Sequence, residues 1–155
     1  MVQNLFQLTE RPGEIEARAA LFLRAMQYMG YAVLNVGLHE LALGPDKLRD
    51  LAKKYEVPLV SANIFDIAKG TTAFPPTLVK DVGPLKIGLF GLVSPEASAV
   101  GKYVAPHGLE IRPPIPEAKA AVDALRKQGC TFVVLLSQMT RPDNEQLMAQ
   151  VSGID

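Results

Sequence analysis

Tyr31-Ala32-Val33-Leu34-Asn35-Val36-Gly37-Leu38-His39-Glu40 runs from an apolar stretch through a glycine into polar side chains, and Leu43-Gly44-Pro45-Asp46-Lys47-Leu48 follows it. Residues 32–36 read as a short buried strand. Gly44-Pro45-Asp46 then opens a helix over residues 47–55 with Leu48, Leu51 and Ala52 on its inner side. Upstream, Ile15, Ala19, Phe22, Leu23, Met26 and Met29 recur at helical spacing and Gly30 stops the pattern, which predicts a first helix over residues 14–29 with these side chains inward. Helix, strand, loop and helix in this order are the building unit of an α/β fold.

Downstream the alternation continues. Residues 58–62 make the next strand, and residues 77–82 and 85–93 flank Gly83-Pro84 as an antiparallel hairpin. Residues 94–116, with Pro106, Gly108, Pro113, Pro114 and Pro116, are expected to form a long irregular connection. A helix follows over residues 117–127, carried by Ala118, Ala121, Val122 and Leu125 and closed by Gly129. Residues 131–137 form a nearly continuous apolar run, as for a strand covered on both faces, and a last helix spans residues 143–151. The fold class is α/β: a mostly parallel sheet flanked by helices, with one antiparallel hairpin and a single domain over residues 1–155. Residues 151–155 stop where a further strand is about to begin.

Composition narrows the function classes. A chain of 155 residues with 48% hydrophobic and 21% charged positions can bury about two-thirds of its unfolded surface. Sixteen basic against sixteen acidic residues leave no field for nucleic acid or anionic lipid, so no nucleic-acid partner is expected. No apolar run approaches the roughly 20 residues that span a bilayer, so no membrane insertion is expected either. Residues 1–11 lack the pattern of a secretion signal. The single Cys130 excludes an internal disulfide and a cysteine-built metal cage, and its place before an apolar strand predicts a buried, inert thiol.

In open α/β sheets ligands gather beyond the carboxyl ends of strands. Three loops qualify: Gly37-Leu38-His39-Glu40, Ser61-Ala62-Asn63 and Ser137-Gln138-Met139-Thr140. His39 and Glu40 read either as a phosphate-contacting imidazole with a nearby carboxylate or as a hydrogen-bonded loop pair. Asn63 reads as a ligand contact or an Asx-turn, Gln138 as a weak metal donor or the polar end of a strand, and His107 as a surface loop residue.

The segment from Tyr31 to Glu40 resembles the Gly-Asn-His-Glu stretch of the 5'-nucleotidase-type, calcineurin-like metallophosphoesterases. Pro58-Leu59-Val60-Ser61-Ala62-Asn63-Ile64 resembles that family's next strand, residues 82–93 its Val-Gly-x-x-Lys-Ile-Gly-x-x-Gly-Leu hairpin, and Val133-Val134-Leu135-Leu136-Ser137 the strand that carries a metal-binding histidine. The resemblance implies a four-layer sandwich, here incomplete, and hydrolysis of nucleotide phosphate esters. It also implies two divalent metals, zinc, manganese or similar, which polarise the ester and generate hydroxide, and an extracytoplasmic location.

The family's ligands come from an Asp-x-His, a Gly-Asp, the Asn of Gly-Asn-His-Glu, a His after Leu-Leu-Ser, and a Gly-His-x-His. In this chain the first two have no counterpart, Leu38 and Gln138 stand at the third and fourth, and Asp155 precedes the place of the last. His39 alone keeps register, as the family's phosphate contact or acid. The resemblance therefore implies His39 as the catalytic residue, Gln138 as at most a weak metal donor, and a metal site too poor for turnover, and the reading of the loops adds Glu40 and Asn63 as substrate contacts. The alternative is a non-catalytic binding or assembly module working through exposed sheet edges, as a homo-oligomer or beside the remainder of a larger protein.

Overall fold

The computed structural model describes residues 12–95 and 100–155. The expectation about residues 1–11, and the part of the expected irregular connection at residues 96–99, lie outside the described residues. Helix α1 spans Pro12–Tyr28, strand β1 Leu34–Asn35, helix α2 Pro45–Lys54, and strands β2 to β6 Leu59–Val60, Ile64–Asp66, Thr71–Thr72, Thr77–Val82 and Leu85–Val93. Strand β7 is Leu109–Ile111, helix α3 Pro114–Lys127, strand β8 Phe132–Gln138 and helix α4 Arg141–Gln150.

The expected helices, strands and hairpin are present, with boundaries shifted by a few residues. β1 pairs in parallel with β2. β6 pairs antiparallel with β5 across Gly83-Pro84 and in parallel with β8. A third, antiparallel sheet of order β4-β3-β7 adds to these, and two of its strands lie where the sequence shows only short or polar runs. The region expected to be irregular thus carries β7, together with a helical segment Val100–Val104 and a one-turn helix Ala105–His107.

Two cores divide the molecule. One joins Val36, Leu41, Leu48, Ile64 and Val93 between α2, the β1–β2 pair and the far end of β6. The other seats α3 on β5, β6 and β8 through Phe90, Leu92, Leu125 and Val133. Gly88 makes that contact close: a Cβ there would lie 2.8 Å from a Leu125 methyl, so the helix rests on bare backbone. Helix α3 begins with Pro114 in its first turn and ends with Arg126 and Lys127, which oppose the negative end of its dipole.

Two expectations are corrected here. The β8 run is covered along one face and, on the other, only toward its carboxyl end by Asn35 of β1: Val133 and Leu135 join the α3 core, whereas Phe132 is exposed and Val134 and Leu136 are partly so. In α1 the inner position belongs to Leu23, while Phe22 and Met29, expected inward, face outward. The helix carries apolar residues on both sides, so helical spacing alone did not select the packed one. Cys130 is buried against the α3 core, as expected.

Candidate functional site

The carboxyl ends of β1, β6 and β8 meet at one edge, as the alternation of strand and helix requires. Gly37 lies at the centre. A Cβ there would fall 1.6 Å from Gln138 Oε1 and 2.7 Å from Glu40 Oε2, so only glycine lets both side chains close over the strand end. Gln138 Nε2 donates to the Asn35 carbonyl at 3.1 Å, which ties β8 to β1. The Gly37 N–H donates to Glu40 Oε2 at 3.0 Å, so the carboxylate folds back on its own loop.

His39 is exposed beside these groups and meets Tyr103 edge to face, with ring centroids 5.5 Å apart. Leu38, next to it, is buried in the first core. His107 lies at the surface, as expected, with its ring against Gly44: a Cβ on that glycine would stand 3.4 Å from His107 Cε1.

Asn63 is fully buried. Its Nδ2 donates to the carbonyls of Val93 at 2.9 Å and Arg112 at 3.1 Å, and its Oδ1 accepts the Val93 N–H at 3.0 Å. The side chain binds three main-chain groups of its neighbours instead of forming an Asx-turn.

Four residues to which sequence reasoning gave no individual role build this edge. Asn35, inside an apolar run, sends Nδ2 to the carbonyls of Leu92 at 3.0 Å and Leu136 at 2.8 Å, bridging β1 to both parallel strands of the neighbouring sheet. Ser94, buried at the end of β6, donates to Asp143 Oδ2 and accepts the Thr140 N–H at 2.9 Å. Thr140 caps α4, its hydroxyl donating to Asp143 Oδ2 at 2.8 Å. The spacing of Thr140 and Asp143 before a helix is the signal that could have found this cap.

Hydrogen bonds from the Ser94 hydroxyl first, and then from Thr140, hold the Asp143 carboxyl below the usual range for an aspartate. A depressed carboxyl stabilises the fold above its unfolded value of about 3.9 and loses that contribution as pH falls through the folded value. Thermal unfolding followed from pH 7 to 2.5 is therefore expected to show Tm falling below about pH 4. Asp143→Asn should flatten part of that fall, and an unchanged acid limb in the variant would contradict the assignment.

The donors at this edge do not fit a dinuclear metal centre. Leu38 is hydrocarbon, Gln138 brings only an amide oxygen, Glu40 Oε2 accepts the Gly37 N–H, and among the described residues no three His, Cys, Asp or Glu side chains converge on a common point. An amide oxygen is also a weak ligand for zinc or manganese compared with imidazole. No helix of the described residues is long and apolar enough to cross a membrane.

Comparison with known proteins gives a consistent family picture. No family model matches the chain. The 2',3'-cyclic-nucleotide 2'-phosphodiesterase/3'-nucleotidase of Yersinia enterocolitica is 29% identical over 150 residues, covering 85% of this chain and 23% of its own length. The solved structure of the 5'-nucleotidase precursor from Thermus thermophilus superposes with a TM-score of 0.74 at 27% identity, over 89% of this chain and 27% of that one. The calcineurin-like phosphoesterase YfkN from Bacillus subtilis gives a TM-score of 0.73 over 94% of this chain and 49% of its own, and at 17% identity it speaks for the fold alone. The chain spans roughly a fifth to a quarter of the length of the curated relatives it matches.

Proposed function

Since the chain belongs to the 5'-nucleotidase-type, calcineurin-like phosphoesterases, of which it spans a part, we propose that its lineage hydrolyses nucleotide phosphate esters and that this chain is itself impaired in that reaction. The observation that carries the reading is the Gln138 amide, which lies over Gly37 and bonds to Asn35 where the family places a metal-binding imidazole. In relatives with the full donor set, divalent metals supply the Lewis acid and the hydroxide. In this chain His39 offers an exposed imidazole to a phosphate oxygen, and Glu40 holds the His39 loop through Gly37. Asn63, read from sequence as a substrate contact, supports the reading only indirectly, through the main chain of Val93 and Arg112. An extracytoplasmic location belongs to the same proposal and rests on the family alone.

The decisive assay is turnover of nitrophenyl phosphate and 5'-AMP by the purified chain with Mn²⁺ or Zn²⁺ supplied. The expected rate lies at least about a thousandfold below the median enzyme kcat of about 10 s⁻¹. Robust metal-dependent turnover that His39→Ala abolishes would overturn the impairment.

A further inference from the structure

An imidazole that acts on a phosphate must keep its ring aimed, and a hydrogen bond on its second nitrogen is the usual means. At His39 that means is missing among the described residues: neither ring nitrogen is hydrogen-bonded, and the adjacent Glu40 carboxylate accepts the Gly37 N–H instead. What the imidazole meets is Tyr103, its ring 5.5 Å away between centroids and inclined at 65°. Tyr103 belongs to the helical segment Val100–Val104, where its side chain packs on the first core and the next residue, Val104, has no exposure. Lys102 Nζ lies 4.6 Å from the centroid of the same phenol ring. The phenol is thus held by the first core and by the Lys102 ammonium, whereas the imidazole is exposed.

We propose that Tyr103 is a positioning residue, whose ring holds the exposed His39 imidazole in the orientation that meets a phosphate oxygen. This rests on the phosphate contact proposed above for His39 and adds what aims it. The face of an aromatic ring is negative and its edge positive, so an inclined pair has a preferred orientation that an aliphatic contact lacks. The contact restricts both side-chain torsions of the histidine without engaging either nitrogen, so the ring's donor and acceptor stay available to a ligand. It also joins the loop after β1 to the connection after β6, so the aim of the imidazole depends on two segments distant in sequence.

Proton NMR on the full chain tests this. The chain has two histidines, so the Cε1–H signals of His39 and His107 can be told apart with His39→Ala. Tyr103→Leu removes the ring and keeps apolar bulk, and Tyr103→Phe keeps the ring. On the alkaline plateau, where protonation does not contribute, the His39 signal is expected to carry the ring-current shift of Tyr103 in the parent and in Tyr103→Phe, and to lose it in Tyr103→Leu. Titration with 5'-AMP, followed on the same signal, should give an affinity about twofold to tenfold lower in Tyr103→Leu, the factor that an edge-to-face pair is worth, and unchanged in Tyr103→Phe. His107, in the turn that follows Val104, should keep its shift in both variants, which separates loss of aim from displacement of the segment. The proposal is overturned by a Tyr103→Leu variant whose His39 signal and affinity match the parent, by one in which His107 moves equally, or by a Tyr103→Phe variant that behaves like Tyr103→Leu. A parent His39 signal that ignores 5'-AMP overturns the phosphate contact itself, whereas an affinity that ignores Tyr103→Leu overturns only the positioning.

Discussion

Asn63→Ala is expected to destabilise the chain by about 3–5 kcal/mol, a large share of the 5–15 kcal/mol typical of a domain. The magnitude follows from what the side chain satisfies: the Val93 N–H, the Val93 carbonyl and the Arg112 carbonyl all lose a partner at once, in a place where Asn63 itself has no exposure. Each buried main-chain group left without a hydrogen bond costs about 1–3 kcal/mol. Alanine brings no new donor, and the packed surroundings oppose entry of solvent. For a chain of this length the shift corresponds to roughly 10 °C in Tm, measurable by calorimetry or circular dichroism. Asn63→Asp supplies the control, since a carboxylate still accepts from the Val93 N–H and cannot donate to either carbonyl, so it should be no less damaging. If both variants keep the parent Tm while weakening binding of 5'-AMP, the residue acts on the ligand and not as a brace.

That distinction shows where the sequence was legible. The Gly30 stop, the Gly83-Pro84 turn and the apolar spacing of Ala118, Ala121, Val122 and Leu125 are local signals, and the structure places a helix end, a hairpin and a packed helix at them. The order of the loops that meet at Gly37 was legible too, because strand ends and helix starts alternate along the chain. What escaped depends on partners distant in sequence. β3 and β7 hold three residues each and exist through pairing across more than forty positions, for which Ile64-Phe65-Asp66 and Leu109-Glu110-Ile111 carry no periodicity long enough to read. The two faces of β8 are equally apolar, so composition could not reveal that α3 covers Val133 and leaves Phe132 out. The amides were legible as residues and not as contacts: Asn35, Asn63 and Gln138 each bond to main chain 30 or more positions away.

These amides also explain how the loop edge holds its shape without converging charges. A carboxylate and imidazole cluster is electrostatically costly unless a cation neutralises it, whereas an amide offers donor and acceptor together at no net charge. Asn35 joins β1 to β6 and β8, Gln138 joins β8 to β1, and Asn63 joins the loop after β2 to the end of β6 and the segment after β7. These cross-links are neutral, and beside them the Glu40 carboxylate holds the Gly37 loop and the Asp143 carboxylate joins Ser94 to the start of α4.

Gly91→Ala tests the tightest point of that network and should cost about 2–3 kcal/mol. The added Cβ would stand 2.0 Å from Asn35 Oδ1 and 2.5 Å from its Cγ, far inside van der Waals contact. Asn35 cannot swing aside cheaply, because its Nδ2 is held between the carbonyls of Leu92 and Leu136. Either those two bonds break or β1 is pushed off the sheet, and overpacking of this kind costs about 1–3 kcal/mol before any lost hydrogen bond is counted. The Oδ1 atom is buried without a hydrogen-bond partner, so the clash strikes the one part of the amide that gains nothing from its position. Asn35→Ala alone is also expected to destabilise, by about 1–3 kcal/mol, through the two carbonyls it leaves unpaired. In the double variant the two closest clashes disappear with the amide and a tight 3.1 Å approach to the Cβ of residue 35 remains, so its loss should fall short of the sum of the singles by at least about 1 kcal/mol, a coupling readable from denaturant midpoints. Additive losses would mean that Gly91 and Asn35 act independently, and that the close seating of β1 on β6 is not set by this pair.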